Sequence, residues 1–132
     1  MAEAVTLAHV ARPLVLAERL PAGEFETILA ADPRYEKLYA QSPVKRVAIH
    51  SIPTEQFTRA LAKGNPIYSQ AQLQQYVDED LQLIEQFKPD VIVGDMRLSL
   101  AASARLAKIP YITLTNAYWS PSANVRYPIP DS

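Results

Sequence analysis

Apolar positions along this chain switch repeatedly between helical spacing and short β-branched runs. His9–Leu20 puts Val10, Leu14, Ala17 and Leu20 near helical spacing. Pro13 is tolerable there only in the first turn, and Pro21 and Gly23 stop the segment. Phe25–Ala31 reads as a strand, and Asp32-Pro33 opens a short helix carrying Tyr35, Leu38 and Tyr39. Val47–Ile52 reads as a second strand, with Lys45-Arg46 before it as a solvated turn. Thr54–Lys63 is a helix closed by Gly64. The longest periodic segment is Ser69–Phe87, with Ser69 as N-cap and Leu73, Tyr76, Val77, Leu81, Ile84 and Phe87 on one stripe. Val91–Val93, ending at Gly94-Asp95, is the continuous β-branched run of a strand buried on both faces. Leu98–Lys108 is an Ala-rich helix and Tyr111–Thr115 the next strand; beyond Asn116 turn residues replace any period.

Strands separated by helices predict an α/β domain: a Rossmann-like parallel sheet with helices on both faces. Such a sheet needs a central first strand, and Met1–Val5 alone can fill that slot. Glu3 would then face an apolar layer, which is costly for a carboxylate unless it is paired or protonated. The short first strand and the Pro-rich end together predict a single domain over residues 1–132 cut short at its C-terminus. For the N-terminus the readings are a late start, a stub strand, or association of copies over an open edge; an N-terminally extended chain is expected to melt higher.

Composition narrows the function. Of 132 residues, 48% are hydrophobic and 20% charged, so the chain can bury a core and is not a disordered segment. Thirteen basic and 14 acidic side chains leave a net charge of -1, too little to draw nucleic acid or an anionic membrane. With no Cys there is no disulfide, thiolate nucleophile or Cys-based metal site. No apolar run reaches the ~18–20 residues of a membrane span, and no signal peptide is legible, so a cytoplasmic location is expected.

In open parallel sheets ligands sit at the carboxyl ends of the strands. No Gly-rich dinucleotide or phosphate-loop motif lies there. His9, at the start of the first helix, is either a general base or a half-exposed helix residue. Asp95, closing a strand, is either the cap of the following helix or a carboxylate that orients a His. Each can meet the other across the cleft. Asn116, Tyr118 and Trp119 follow the last strand, where the aromatics can stack on an apolar ligand or bury against a neighbouring domain. His50 reads as an ordinary strand residue.

His9-Val10 followed by Leu16-Ala17-x-x-Leu20 resembles the G-H-V-x-P-x-x-x-L-A-x-x-L segment of many nucleotide-sugar-dependent glycosyltransferases of the two-domain GT-B fold. Asp90-Val91-Ile92-Val93-Gly94-Asp95 and Ala104-Arg105-x-Ala107-x-x-Pro110 resemble the D-x-V-V-x-D … A-x-x-x-G-I-P stretch of the same N-terminal domain. The likeness is nearest to the bacterial, macrolide-type branch of the UDP-glycosyltransferases and runs along nearly the whole chain. Two positions depart from it: Ala8 stands in place of Gly, and the Pro expected three residues after the His comes four after it, at Pro13.

The resemblance implies an acceptor-binding half-domain and hexosyl transfer to an acceptor hydroxyl with inversion. In it His9 is the base, Asp95 its orienting carboxylate, and Asn116, Tyr118 and Trp119 line the acceptor. It also implies a small-molecule or lipid-like acceptor, no metal, and a nucleotide-sugar donor, a UDP-sugar, held mainly by a C-terminal domain outside these residues. The fragment alone is expected to be inactive. The alternatives are a non-catalytic subunit of a split glycosyltransferase, half of a nucleotide-sugar epimerase, and, for assembly, a homo-oligomer.

Overall fold

The structure is a computed structural model and describes residues 1–117 and 120–124. Its elements, in chain order, are α1 (Leu7–Arg19), β1 (Ile28–Ala31), a 3₁₀ turn (Pro33–Leu38), β2 (Lys45–Ala48), α2 (Thr54–Lys63), α3 (Gln70–Phe87), β3 (Ile92–Asp95), α4 (Leu100–Leu106) and β4 (Tyr111–Leu114). β1 pairs parallel with β2, and β3 with β4. Met1–Glu3 joins the two pairs: Ala2 bridges in parallel to both Ala31 and Asp95. Backbone bonds run from Ala2 N to Ala30 O (2.9 Å), from Glu3 N to Asp95 O (3.0 Å) and from Asp95 N to Met1 O (3.0 Å). The order across the sheet is therefore β2–β1–(Met1–Glu3)–β3–β4. The chain winds outward in one direction through β1 and β2, then returns and winds the other way through β3 and β4.

Side chains alternate across the short central strand, and so do the layers. Ala2 and Ala4 pack with Val10, Leu29, Ala31, Tyr39 and Val44 on the side that α1 covers. Ile84 of α3, Ile92, and Leu100 and Ala104 of α4 pack together, with Met1 against them, on the other side. Helices thus cover both faces of a Rossmann-like half-domain. A third cluster, Val5, Ile52, Phe57, Tyr68 and Tyr76, fills the region between α2, α3 and the carboxyl ends of the strands.

Local signals explain most boundaries. Ser69 Oγ accepts from Gln72 N (3.2 Å) while Gln72 Oε1 accepts from Ser69 N (2.9 Å), a complete capping box that starts α3. Gly64 ends α2 in the left-handed conformation (φ 63°), as expected of a glycine at that position. Gly94 serves close packing instead: a Cβ there would come 2.6 Å from Leu100 Cδ1 and 2.8 Å from Tyr111 Cε2. Gly94→Ala should therefore push α4 off the sheet and cost about 1–3 kcal/mol. Urea unfolding of the two chains measures it; an unchanged midpoint would show that α4 shifts freely.

Several expectations need correction. Pro13 is the seventh residue of α1 and not part of its first turn, because the helix begins at Leu7. Lacking an N–H, it cannot bond the carbonyl of His9 four residues back. β1 is shorter than Phe25–Ala31, since Glu24 N and Phe25 N both turn back to Pro21 O and leave Phe25 exposed. β2 lies earlier than Val47–Ile52: Lys45 and Arg46 belong to it, and His50 falls beyond its end. This strand is a sheet edge, where charged side chains are well tolerated and blunt pairing with other chains. Lys45 Nζ lies 5.3 Å from the centre of the Phe87 ring and Arg46 stacks over Tyr39, so neither is a loose turn residue.

Glu3 does face an inner layer, and it is paired. It is fully buried, accepts from the Tyr76 hydroxyl (3.0 Å) and lies 3.4 Å from Arg97 Nη1. Arg97, also fully buried, reaches Asp80 (3.0 Å) and Glu79 (2.7 Å) as well, and its guanidinium carbon lies 3.9 Å from the centre of the Tyr76 ring. One cation thus serves three carboxylates. Burial accordingly raises the Glu3 pKa, against the opposing pull of Arg97 and of hydrogen bonds from Tyr76.

A carboxyl raised in the folded state adds stability that is complete below its unfolded value and is lost as pH rises through the folded value. Glu3→Gln, neutral at every pH, should therefore raise the urea midpoint at pH 7.5 and lose that gain by about pH 4, near the ordinary Glu value. An equal difference at both pH values would show that Glu3 is not the group responsible.

Candidate active site

The winding direction reverses between Met1–Glu3 and β3, and a crevice opens at such a reversal beyond the carboxyl ends of the strands. His9 enters it from the first turn of α1, which follows directly on the central strand. Asp95 enters it as the last residue of the neighbouring β3. His9 Nδ1 lies 2.8 Å from Asp95 Oδ1, well inside the 2.6–3.2 Å hydrogen-bonding range. Asp95 is fully buried, whereas the His9 side chain keeps 17% of its surface.

The capping reading of Asp95 does not hold. α4 begins at Leu100 with Ser99 before it and no side-chain cap, and the Asp95 carboxylate turns to α1 instead. Met96 explains the geometry. Strand alternation would aim residues 95 and 97 at the same face. Met96 adopts left-handed backbone (φ 58°), uncommon without glycine, and the turn sends Arg97 to the Glu3 side while Asp95 stays toward α1.

Sequence reasoning passed over Arg12. It lies three residues after His9, on the same helix face. Its Nε donates to Asp95 Oδ2 (2.8 Å) and its Nη2 to Asp95 Oδ1 (2.6 Å), a two-point grip on the carboxylate. Its Nη1 donates to Asn116 Oδ1 (3.0 Å), so this expected acceptor-lining residue does join the cluster. Tyr118 and Trp119 lie outside the described residues. The only sequence signal for Arg12 was the displaced proline, which opens position 12 to another residue. Arg97 and its carboxylates were missed as well, because nothing in a single sequence marks one arginine as buried.

The carboxylate is acceptor-only and the guanidinium donor-only. The 2.8 Å contact is therefore a hydrogen bond when Nδ1 carries the proton, which leaves Nε2 bare. Among the described residues Nε2 has no hydrogen-bond partner, and its lone pair can take a proton from a ligand hydroxyl. Among the described residues no three His, Asp or Glu side chains gather so as to hold a metal ion. None of their helices is long and apolar enough to cross a membrane.

No family model matches the chain. Individual proteins do. A "PGL/p-HBAD biosynthesis rhamnosyltransferase" of Mycobacterium tuberculosis (strain ATCC 25177 / H37Ra) is 50% identical over 131 residues, covering 99% of this chain and 29% of that protein. A "PGL/p-HBAD biosynthesis glycosyltransferase" of the same strain is 47% identical over 129 residues, covering 98% of this chain and 30% of its own length. An "Inactive PGL/p-HBAD biosynthesis glycosyltransferase" of Mycobacterium bovis (strain BCG / Pasteur 1173P2) is also 47% identical over 129 residues, 35% of its length. The chain is thus similar, along nearly all of its residues, to glycosyltransferases of PGL/p-HBAD biosynthesis, and it spans about a third of their length.

Proposed function

We propose that this chain is the acceptor-activating, N-terminal part of a GT-B nucleotide-sugar-dependent glycosyltransferase that transfers a hexosyl group with inversion. The contact between His9 and buried Asp95 at the sheet's reversal point carries this reading, and the similarity to glycosyltransferases supports it. In the reaction, Nε2 of His9 takes the proton of the acceptor hydroxyl as its oxygen attacks the anomeric carbon. The nucleoside diphosphate leaves from the opposite side of that carbon with the bonding electron pair. Asp95 holds the imidazole in the productive tautomer and stabilises the imidazolium that forms. The acceptor is a small or lipid-like molecule bearing a hydroxyl, and Asn116, Tyr118 and Trp119 are assigned to it. The donor, a UDP-sugar, belongs to a partner domain that the longer relatives have room for.

The relative named inactive favours a second reading, a binding or scaffolding role without catalysis. It matches this chain as well as one relative named a glycosyltransferase does, so similarity over this segment does not separate the two. The test replaces the matched segment of the M. tuberculosis rhamnosyltransferase with this chain and follows sugar transfer. Transfer by the hybrid is expected. A folded hybrid that binds acceptor and transfers nothing would favour the second reading.

A further inference from the structure

We propose that Arg12 is a positioning residue that locks the Asp95 carboxylate in place and so holds His9 in the tautomer that carries its proton on Nδ1. This rests on the reading of His9 as the base. Three donors converge on the two oxygens of Asp95: His9 Nδ1 and Arg12 Nη2 on Oδ1, and Arg12 Nε on Oδ2. The fork fixes the plane of the carboxylate, and with it the direction in which Oδ1 meets the imidazole. Nη2 also lies 3.0 Å from His9 Nδ1. Neither a guanidinium nor a protonated Nδ1 can accept a hydrogen bond, so the two sit side by side as donors to one oxygen.

Among the described residues, the charged groups that contact the imidazole are Asp95 and Arg12. Arg12 comes from its own helix and Asp95 from β3. β1, which also packs on α1, is Ile-Leu-Ala-Ala and brings no charge. The Met1 ammonium is engaged with the strand backbone, donating to Val93 O (2.7 Å). Asn116 holds the guanidinium from its other end (3.0 Å), which restrains an otherwise one-third exposed side chain.

Long-range ¹H–¹⁵N spectra of the imidazole rings in the labelled chain report both tautomer and protonation. There are two histidines, and exposed His50 is the internal control. In the parent chain His9 should carry its proton on Nδ1. Arg12→Gln, which removes the fork, should shift His9 measurably toward the tautomer protonated on Nε2, with His50 unmoved. Arg12→Lys, which keeps the charge but not the fork, should show the same tautomer shift and broaden the His9 signals. A parent His9 protonated on Nε2 would overturn the proposal, as would identical His9 tautomer populations in all three chains. If Arg12→Gln does not fold, the parent tautomer and the Lys variant still decide. The readout needs no sugar transfer. A tautomer shift in a hybrid that proves catalytically idle would sink the glycosyltransferase reading while still showing that Arg12 positions the His9 ring.

Discussion

Arg97→Met should cost about 3–5 kcal/mol, the usual effect of removing one partner from a buried ionic group. Glu3 and Asp80 would remain fully buried without their cation. Glu3 would keep the hydroxyls of Tyr76 and Ser51, and Asp80 those of Ser99 (2.6 Å) and Ser103 (2.9 Å). Domains of this size are stable by about 5–15 kcal/mol, so the variant should be near unfolding at room temperature. Circular dichroism during urea titration measures this. The double variant Arg97→Met with Glu3→Gln should recover part of the loss, since it removes one of the stranded charges. A single variant as stable as the parent would mean that the carboxylates have water or other partners.

The largest effect on activity should come from His9. In the hybrid enzyme carrying this segment, His9→Ala should lower kcat by about 10²–10⁴-fold, the range of a positioned general base. KM should change little, because the imidazole's proton transfer is made only in the transition state. Steady-state kinetics at saturating donor separates the two constants. A rise in KM with kcat preserved would make His9 an acceptor-binding residue and no base.

Much of the fold was legible because local and tertiary signals agree. The stripe from Leu73 to Phe87, the Ser69 cap and the Val91–Val93 run all point to the same layered sheet, and each element formed within a few residues of its expected place. Val91, however, stands outside β3 and is exposed rather than buried. The strand ends were less legible. Lys45 and Arg46 look like a turn by composition, yet an edge strand accepts them since only one of its sides is paired. Pro13 misplaced the start of α1, because the cost of a proline inside a helix can be met by packing: Val10 and Pro13 are both buried.

The site divides along the same line. His9 and Asp95 stand at the ends of consecutive sheet positions, so topology alone brings them together. Arg12 and Arg97 carry no such mark. What sets their roles is the direction each side chain takes, and for Arg97 that direction depends on the left-handed turn at Met96, which no propensity of methionine foretells.

The central claim is that His9 and Asp95 act as one proton-accepting unit, and a double-mutant cycle in the hybrid enzyme tests it most directly. Asp95→Asn alone should slow kcat severely, and combining it with His9→Ala should slow the enzyme no further than His9→Ala alone, since the carboxylate has nothing left to orient. Losses that multiply, with the double variant slower by the product of the two single effects, would contradict it.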